Sequence, residues 1–141
     1  MWGTALHIAG FSDTAEIIKI LLHKGMSVDL TNTEDSKPLH LSALIGNLET
    51  KVLRKRGAPL NNADKDGETP LFLAVRCGKI EVFRYVTETG ADINSLDINS
   101  NTALHHAAIM GSVEIIKTLL DKGMSVELTN AEDSMPLHFS A

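Results

Sequence analysis

Three groups of residues in this sequence are of types that do chemistry. Six histidines occur, two of them adjacent at His105 and His106, and a neutral imidazole is the commonest metal ligand. Residues next to each other on a helix point in different directions, so this pair does not converge on one ion. Asn62, Asp64, Asp66 and Gly67 match the first half of a calcium-loop spacing. Pro70 and Leu73, however, stand where that loop needs a ligand and its closing bidentate glutamate, and a chain-reversing turn is the better reading. Cys77, the single cysteine, follows Arg76, whose charge favours a thiolate. A nucleophile also needs an oriented base, and no convergent His-Asp arrangement accompanies it. With no glycine-rich phosphate loop either, the expectation is no catalytic residue, no metal and no cofactor, with Cys77 a tolerated free thiol.

Composition narrows the classes of partner. The 141 residues are 43% hydrophobic, enough to bury a continuous core. Thirteen Lys plus Arg against eighteen Asp plus Glu leave a net charge of -5, so there is no basic footprint for phosphates, and nucleic acid is not an expected partner. Apolar runs such as Ile20 to Leu22 are far shorter than the roughly 20 residues needed to cross a bilayer. Neither direct membrane insertion nor a secretory signal at Met1-Trp2-Gly3-Thr4 is expected. A lone cysteine excludes an internal disulfide and fits a reducing compartment, cytoplasm or nucleus.

The elements that must position any site come from a repeat. Thr4-Ala5-Leu6-His7 returns as Lys37-Pro38-Leu39-His40, Thr69-Pro70-Leu71-Phe72, Thr102-Ala103-Leu104-His105 and Met135-Pro136-Leu137-His138, at spacings of 33, 32, 33 and 33 residues. Gly25, Gly57, Gly90 and Gly123 keep the same beat, as do Glu16, Glu49, Glu81 and Glu114. Glu16 to Ala43 is nearly reproduced 98 residues later by Glu114 to Ala141, as though three units had been copied as a block. Each unit reads as two short helices and an extended finger. Thr69 is placed to cap a first helix, with Pro70 in its first turn, and Gly78 to stop it. A second helix over Ile80 to Glu88 carries Val82, Phe83 and Val86 on one face and ends at Gly90. Asp64-Lys65-Asp66-Gly67 suits a finger turn. Helices this short cannot bury their own apolar faces, so the units must stack.

The string from Asp64 through Gly78, continued by Ile80-Glu81-Val82 and by Gly90-Ala91-Asp92-Ile93-Asn94, resembles the ankyrin repeat. The stretch from Leu104 to Ile116 is as close, and the resemblance runs along the whole chain. It implies an all-α ankyrin-repeat solenoid of helix-turn-helix units joined by β-hairpin fingers, in a curved stack whose concave face is formed by fingers and first helices. The units fall at 1–31 (start truncated), 32–63 (one residue short), 64–96, 97–129 and a partial 130–141. The resemblance makes the histidines at 7, 40, 105 and 138 structural hydrogen-bonding residues. For function it implies protein binding on a scaffold with no catalysis. A mechanical or spacer array inside a larger channel, toxin or cytoskeletal protein is the alternative.

Departures from the pattern carry further expectations. Thr50, Lys51 and Arg54 stand where apolar residues usually pack, so the second helix of the second unit should be the weakest. Asp13 replaces a stop glycine, and Asp35, Ser100 and Asp133 occupy the finger slot of Gly67. Both ends cut a unit and lack polar caps, pointing to a segment of a longer array that is monomeric or self-associates weakly through its ends. Positions that do not hold the stack together are the candidate partner-binding residues. These are Phe11, Leu44, Ile45, Arg76, Cys77, Ile109 and Met110 on first helices, and Glu34, Ser36, Asp66, Glu68, Asn99, Asn101 and Glu132 on fingers. That set is an apolar floor with a mildly acidic rim, suited to a protein or peptide that is apolar with some basic residues.

Overall fold

In the computed structural model, residues 35–46 and 49–127 are described, with positions 16, 20, 23–25, 27–29, 31, 130, 132 and 135, the side chains of Ile45 and Glu49 excepted. Three helix pairs follow one another: α1 (Pro38–Ile45) with α2 (Glu49–Lys55), α3 (Pro70–Arg76) with α4 (Ile80–Glu88), and α5 (Ala103–Met110) with α6 (Val113–Asp121). Each first helix starts after an extended residue, Lys37, Thr69 or Thr102. Pro38 and Pro70 sit in the first turn, where a missing N–H leaves no bond unmade. Gly46 (φ 80°) and Gly111 (φ 68°) then turn the chain left-handed to end α1 and α5.

The starts of the first helices differ in one respect that the sequence did not show. Thr102 accepts a hydrogen bond from the His105 backbone N–H at 3.3 Å, and the His105 Nδ1 accepts one from the Thr102 N–H at 3.0 Å. In the unit before it, the histidine's place is taken by Phe72. Thr69 makes no cap bond, contrary to its expected role, and its buried hydroxyl has no partner. Between units, His40 places Nδ1 on the Lys37 N–H at 3.1 Å and Nε2 on the Glu68 carbonyl at 3.1 Å. An imidazole that accepts at Nδ1 and donates at Nε2 is neutral, and burial, the main influence, lowers its pKa in keeping with that form.

The first helices α1, α3 and α5 pack side by side, and each second helix packs on its own first helix. Leu39, Leu71 and Leu104, at equivalent positions, are buried with Leu53, Phe83, Ile115 and Leu119 between the layers. Each such side chain contributes about 1.5–3 kcal/mol on burial. In the second unit, Ser42 and Thr50 face each other with hydroxyls 3.0 Å apart, where the later units have Ala74 with Val82 and Ala107 with Ile115. A shared hydrogen bond is how this polar pair is accommodated. Helix α2 has 7 residues against 9 in α4 and α6. Lys51 lies 5.6 Å from the Tyr85 ring centroid on the neighbouring α4, and Arg84 pairs with Glu114 of α6.

The fingers are tight turns, and no strand occurs among the described residues. One carboxylate organises the turn at Asp64 and another the turn at Asp97. Asp64 Oδ1 accepts from the N–H groups of Asp66 (3.0 Å) and Glu68 (2.9 Å), while the Asp64 N–H reaches the Glu68 carbonyl at 2.9 Å. Asp97 repeats the arrangement one unit on, with Oδ1 accepting from Asn99 and Asn101, both at 2.9 Å. The loop closes around a side chain before a two-stranded ladder can extend, which is why the hairpin expectation fails here. Asp35 (φ 57°) and Ser100 (φ 61°) hold the left-handed conformation of Gly67 (φ 75°) despite their Cβ atoms. A single backbone bond, Ile98 N–H to the Asp66 carbonyl at 3.0 Å, ties one fingertip to the next.

Candidate partner-binding face

Stacking of α1, α3 and α5 aligns the last turns of these helices, because equivalent residues of successive units fall in register. Leu44, Arg76 and Ile109 form one such set, and Ile45, Cys77 and Met110 the next. Among these, Leu44 is 37% exposed, Ile109 54% and Met110 51%. Arg76 is exposed and Cys77 half-buried. The finger contributes two more apolar side chains, Leu96 at 53% and Ile98 at 68% exposure. Leu96 was not singled out from the sequence, where nothing separated it from a finger residue packed on its neighbour.

The polar positions behave less uniformly. Asp66, Asn99 and Glu132 are exposed, and Ser36 and Asn101 are half-buried. Asn101 is engaged on both sides of its amide: Nδ2 donates to Asp97 Oδ2 at 3.2 Å, and Oδ1 accepts from Asn130 Nδ2 at 2.8 Å. Glu68 differs from the rim position assigned to it. It is buried, and its carboxylate lies 2.9 Å from the Arg76 guanidinium. The physical reason is that the finger folds back against the end of its own helix, so the two charges meet there and neutralise each other. Phe11 and Glu34 lie outside the described residues, as does the side chain of Ile45.

Next to this pair the structure assembles a cluster that separate sequence segments concealed. His105 and His106 do diverge as expected. His105 turns to Thr102, and His106 Nε2 meets Asp97 Oδ2 at 2.8 Å. Ligand-type atoms of Glu68, Asp97 and His106 all lie within 4.8 Å of one another. The His106 ring is fixed edge-on to Phe72, with centroids 5.4 Å apart. Burial raises the Glu68 carboxyl above its ordinary pKa even though Arg76 pulls the other way. Burial also pushes upward on Asp97, but hydrogen bonds from Asn101, His106 and Asn99 outweigh it and lower that carboxyl. One signal was available in the sequence: Ile8, Leu41, Leu73 and Phe139 occupy the slot of His106 in the other units, so a polar residue there calls for a polar environment.

Comparison with known proteins agrees with this architecture. A family model described as "Ankyrin repeats (3 copies)" matches residues 6–97, more than half of the chain, and a second, "Ankyrin repeats (many copies)", matches residues 78–120. Alpha-latrotoxin-Lh1a of Latrodectus hasselti is 37% identical over 79 residues, covering 54% of this chain and 6% of the toxin. Putative ankyrin repeat protein FPV223 of Fowlpox virus is 37% identical over 83 residues, 57% of each chain. Protein phosphatase 1 regulatory subunit 27 of Mus musculus is 33% identical over 75 residues, 52% of this chain and 49% of that protein. The chain thus spans only a small part of the toxins and about half of the shorter relatives.

Proposed function

Because this chain belongs to the ankyrin-repeat family, we propose that it is a protein-interaction scaffold that holds a partner protein or peptide along a concave face made by its fingers and first helices. The observation that carries this reading is the exposed apolar set Leu44, Ile109, Met110, Leu96 and Ile98 on the described units, interrupted by Arg76, since clustered exposed apolar residues mark interaction sites. Exposed Asp66 and Glu132 beside them, with the net charge of -5, favour a partner segment that is apolar with lysine or arginine at its edges. The binder works without catalysis, in the cytoplasm or nucleus, as five units bounded at 31, 63, 96 and 129. The test is pull-down with the chain and with a Leu44→Arg, Ile109→Arg double variant. Both side chains are already exposed, so the circular-dichroism melt should stay within a few degrees while the partner is lost. Retention of the partner by the folded double variant defeats the proposal.

One observation favours the spacer reading instead. The segment shared with alpha-latrotoxin-Lh1a is 6% of that protein, so a chain of this kind serves there as a small section of something much longer. If the unaltered chain captures no partner and unfolds reversibly, unit by unit, under force, this second reading replaces the first.

A further inference from the structure

We propose that Glu68, Asp97 and His106 bind one divalent transition-metal ion of the zinc class, linking the third and fourth units. One imidazole nitrogen with two carboxylates is a donor set that zinc takes readily, leaving a fourth position for water. Calcium and magnesium are disfavoured, because they call for more oxygens and no nitrogen. Ligand atoms about 2.1 Å from a tetrahedral ion lie roughly 3.4 Å apart. The three donors are already within 4.8 Å of one another, so closing the set takes a small approach of Glu68 and a slight opening of the His106–Asp97 contact from 2.8 Å.

The positions of these donors are fixed by other groups. Asp97 is anchored through Oδ1 by two backbone N–H groups and through Oδ2 by the Asn101 amide. Phe72 sets the plane of the His106 ring. The Glu68 main chain is pinned at both ends, its N–H to Asp64 and its carbonyl to His40. Packing does not require a histidine here, since Leu41 and Leu73 fill the equivalent slots and are themselves buried. On binding, the metal takes the place of the Nε2 proton between His106 and Asp97 and the ring is left as the neutral Nδ1–H imidazole, so a neutral ring moves its proton to Nδ1 and a protonated ring releases one proton to solvent. Arg76 gives up Glu68, and because the guanidinium is half exposed it is released to water on the face proposed for the partner.

The competing account is that an Arg76–Glu68 pair and a His106–Asp97 hydrogen bond simply fill the space, and the two accounts diverge in a titration. The full chain is titrated with cobalt(II), followed by visible ligand-field absorption, and the bound ion is then displaced with zinc(II). The expected result is one equivalent bound in a tetrahedral-type spectrum without a thiolate charge-transfer band. His106→Leu places the residue of the neighbouring units in the slot and should fold, as circular dichroism will show, yet bind about 100-fold more weakly or less. Arg76→Gln removes the competing cation and should bind more tightly, while His23→Gln, an exposed histidine elsewhere, should bind as the unaltered chain does. The proposal is overturned if the unaltered chain binds no cobalt, if folded His106→Leu binds equally well, or if Arg76→Gln binds more weakly.

Discussion

A threonine precedes the first helix in both the third and fourth units, and the same substitution there carries opposite expected signs. Thr69 Oγ1 is buried with no hydrogen-bond partner and makes no cap bond. Its desolvation therefore costs about 1–3 kcal/mol with nothing returned. Valine has the same shape, suits the extended backbone at φ -89° and ψ 168°, and removes the unsatisfied group. Thr69→Val should stabilise the chain by about 1 kcal/mol, the low end of that range because part of the cost is recovered by local relaxation. Thr102 receives the His105 N–H and also contacts His105 Nδ1 at 2.9 Å. Thr102→Val should thus destabilise by about 1–2 kcal/mol, the usual loss for a cap. Equilibrium urea unfolding separates the two: with a slope of about 2 kcal/mol/M, the midpoints should move by roughly 0.5 M upward for Thr69→Val and 0.5–1 M downward for Thr102→Val. Midpoints that move in the same direction would refute the reading of Thr69 as an unsatisfied hydroxyl and of Thr102 as a working cap.

The His40 pKa is depressed below its ordinary 6.5, chiefly by burial. As pH falls below 6.5 the unfolded chain takes up this proton first, so stability fully present above that value is lost beneath it. His40→Gln should flatten the acid limb of a stability-versus-pH curve, and an unchanged slope would rule this out. Ser100 adopts φ 61° in the slot where the preceding finger has glycine, so Ser100→Gly should raise stability by about 1 kcal/mol in urea unfolding. A β-carbon at Gly67 would sit 2.7 Å from the Ile98 backbone nitrogen, whereas one at Gly78 meets nothing within 4 Å. Gly78→Ala should cost only the left-handed strain of about 1–2 kcal/mol, and Gly67→Ala clearly more. Equal losses for the two would show that the fingertip contact is unimportant.

Local features were readable before any coordinates. The second helix expected over Ile80 to Glu88 is α4 with those bounds and with Val82, Phe83 and Val86 buried, because helical periodicity and stop glycines act within a few residues. The stop at Gly78 has φ 67° for the same reason. Legibility ended where the determinant was a contact between side chains brought together by folding. The missing cap at Thr69 is a matter of hydroxyl geometry, since Phe72 and His105 bring the same backbone N–H to that position. The burial of Glu68 depends on Arg76, and the Glu68–Asp97–His106 grouping draws on two fingers and a helix. The divergence of the adjacent histidines was readable, but the partner of His106, a carboxylate nine positions earlier, was not. No strand occurs among the described residues because the Asp64 and Asp97 carboxylates close their turns within four residues, a reach of the side chain that the pattern of flanking residues does not display.

The bond from His40 Nε2 to the Glu68 carbonyl has a genetic consequence. A histidine side chain in one unit grips a backbone atom of the next, and every amino acid has that atom. That contact makes no demand on which side chain follows, so a segment of DNA encoding several units can be duplicated or moved by unequal recombination and this bond can still form wherever the preceding unit carries the histidine. The near-copy of Glu16 to Ala43 at Glu114 to Ala141 is what such portability leaves behind.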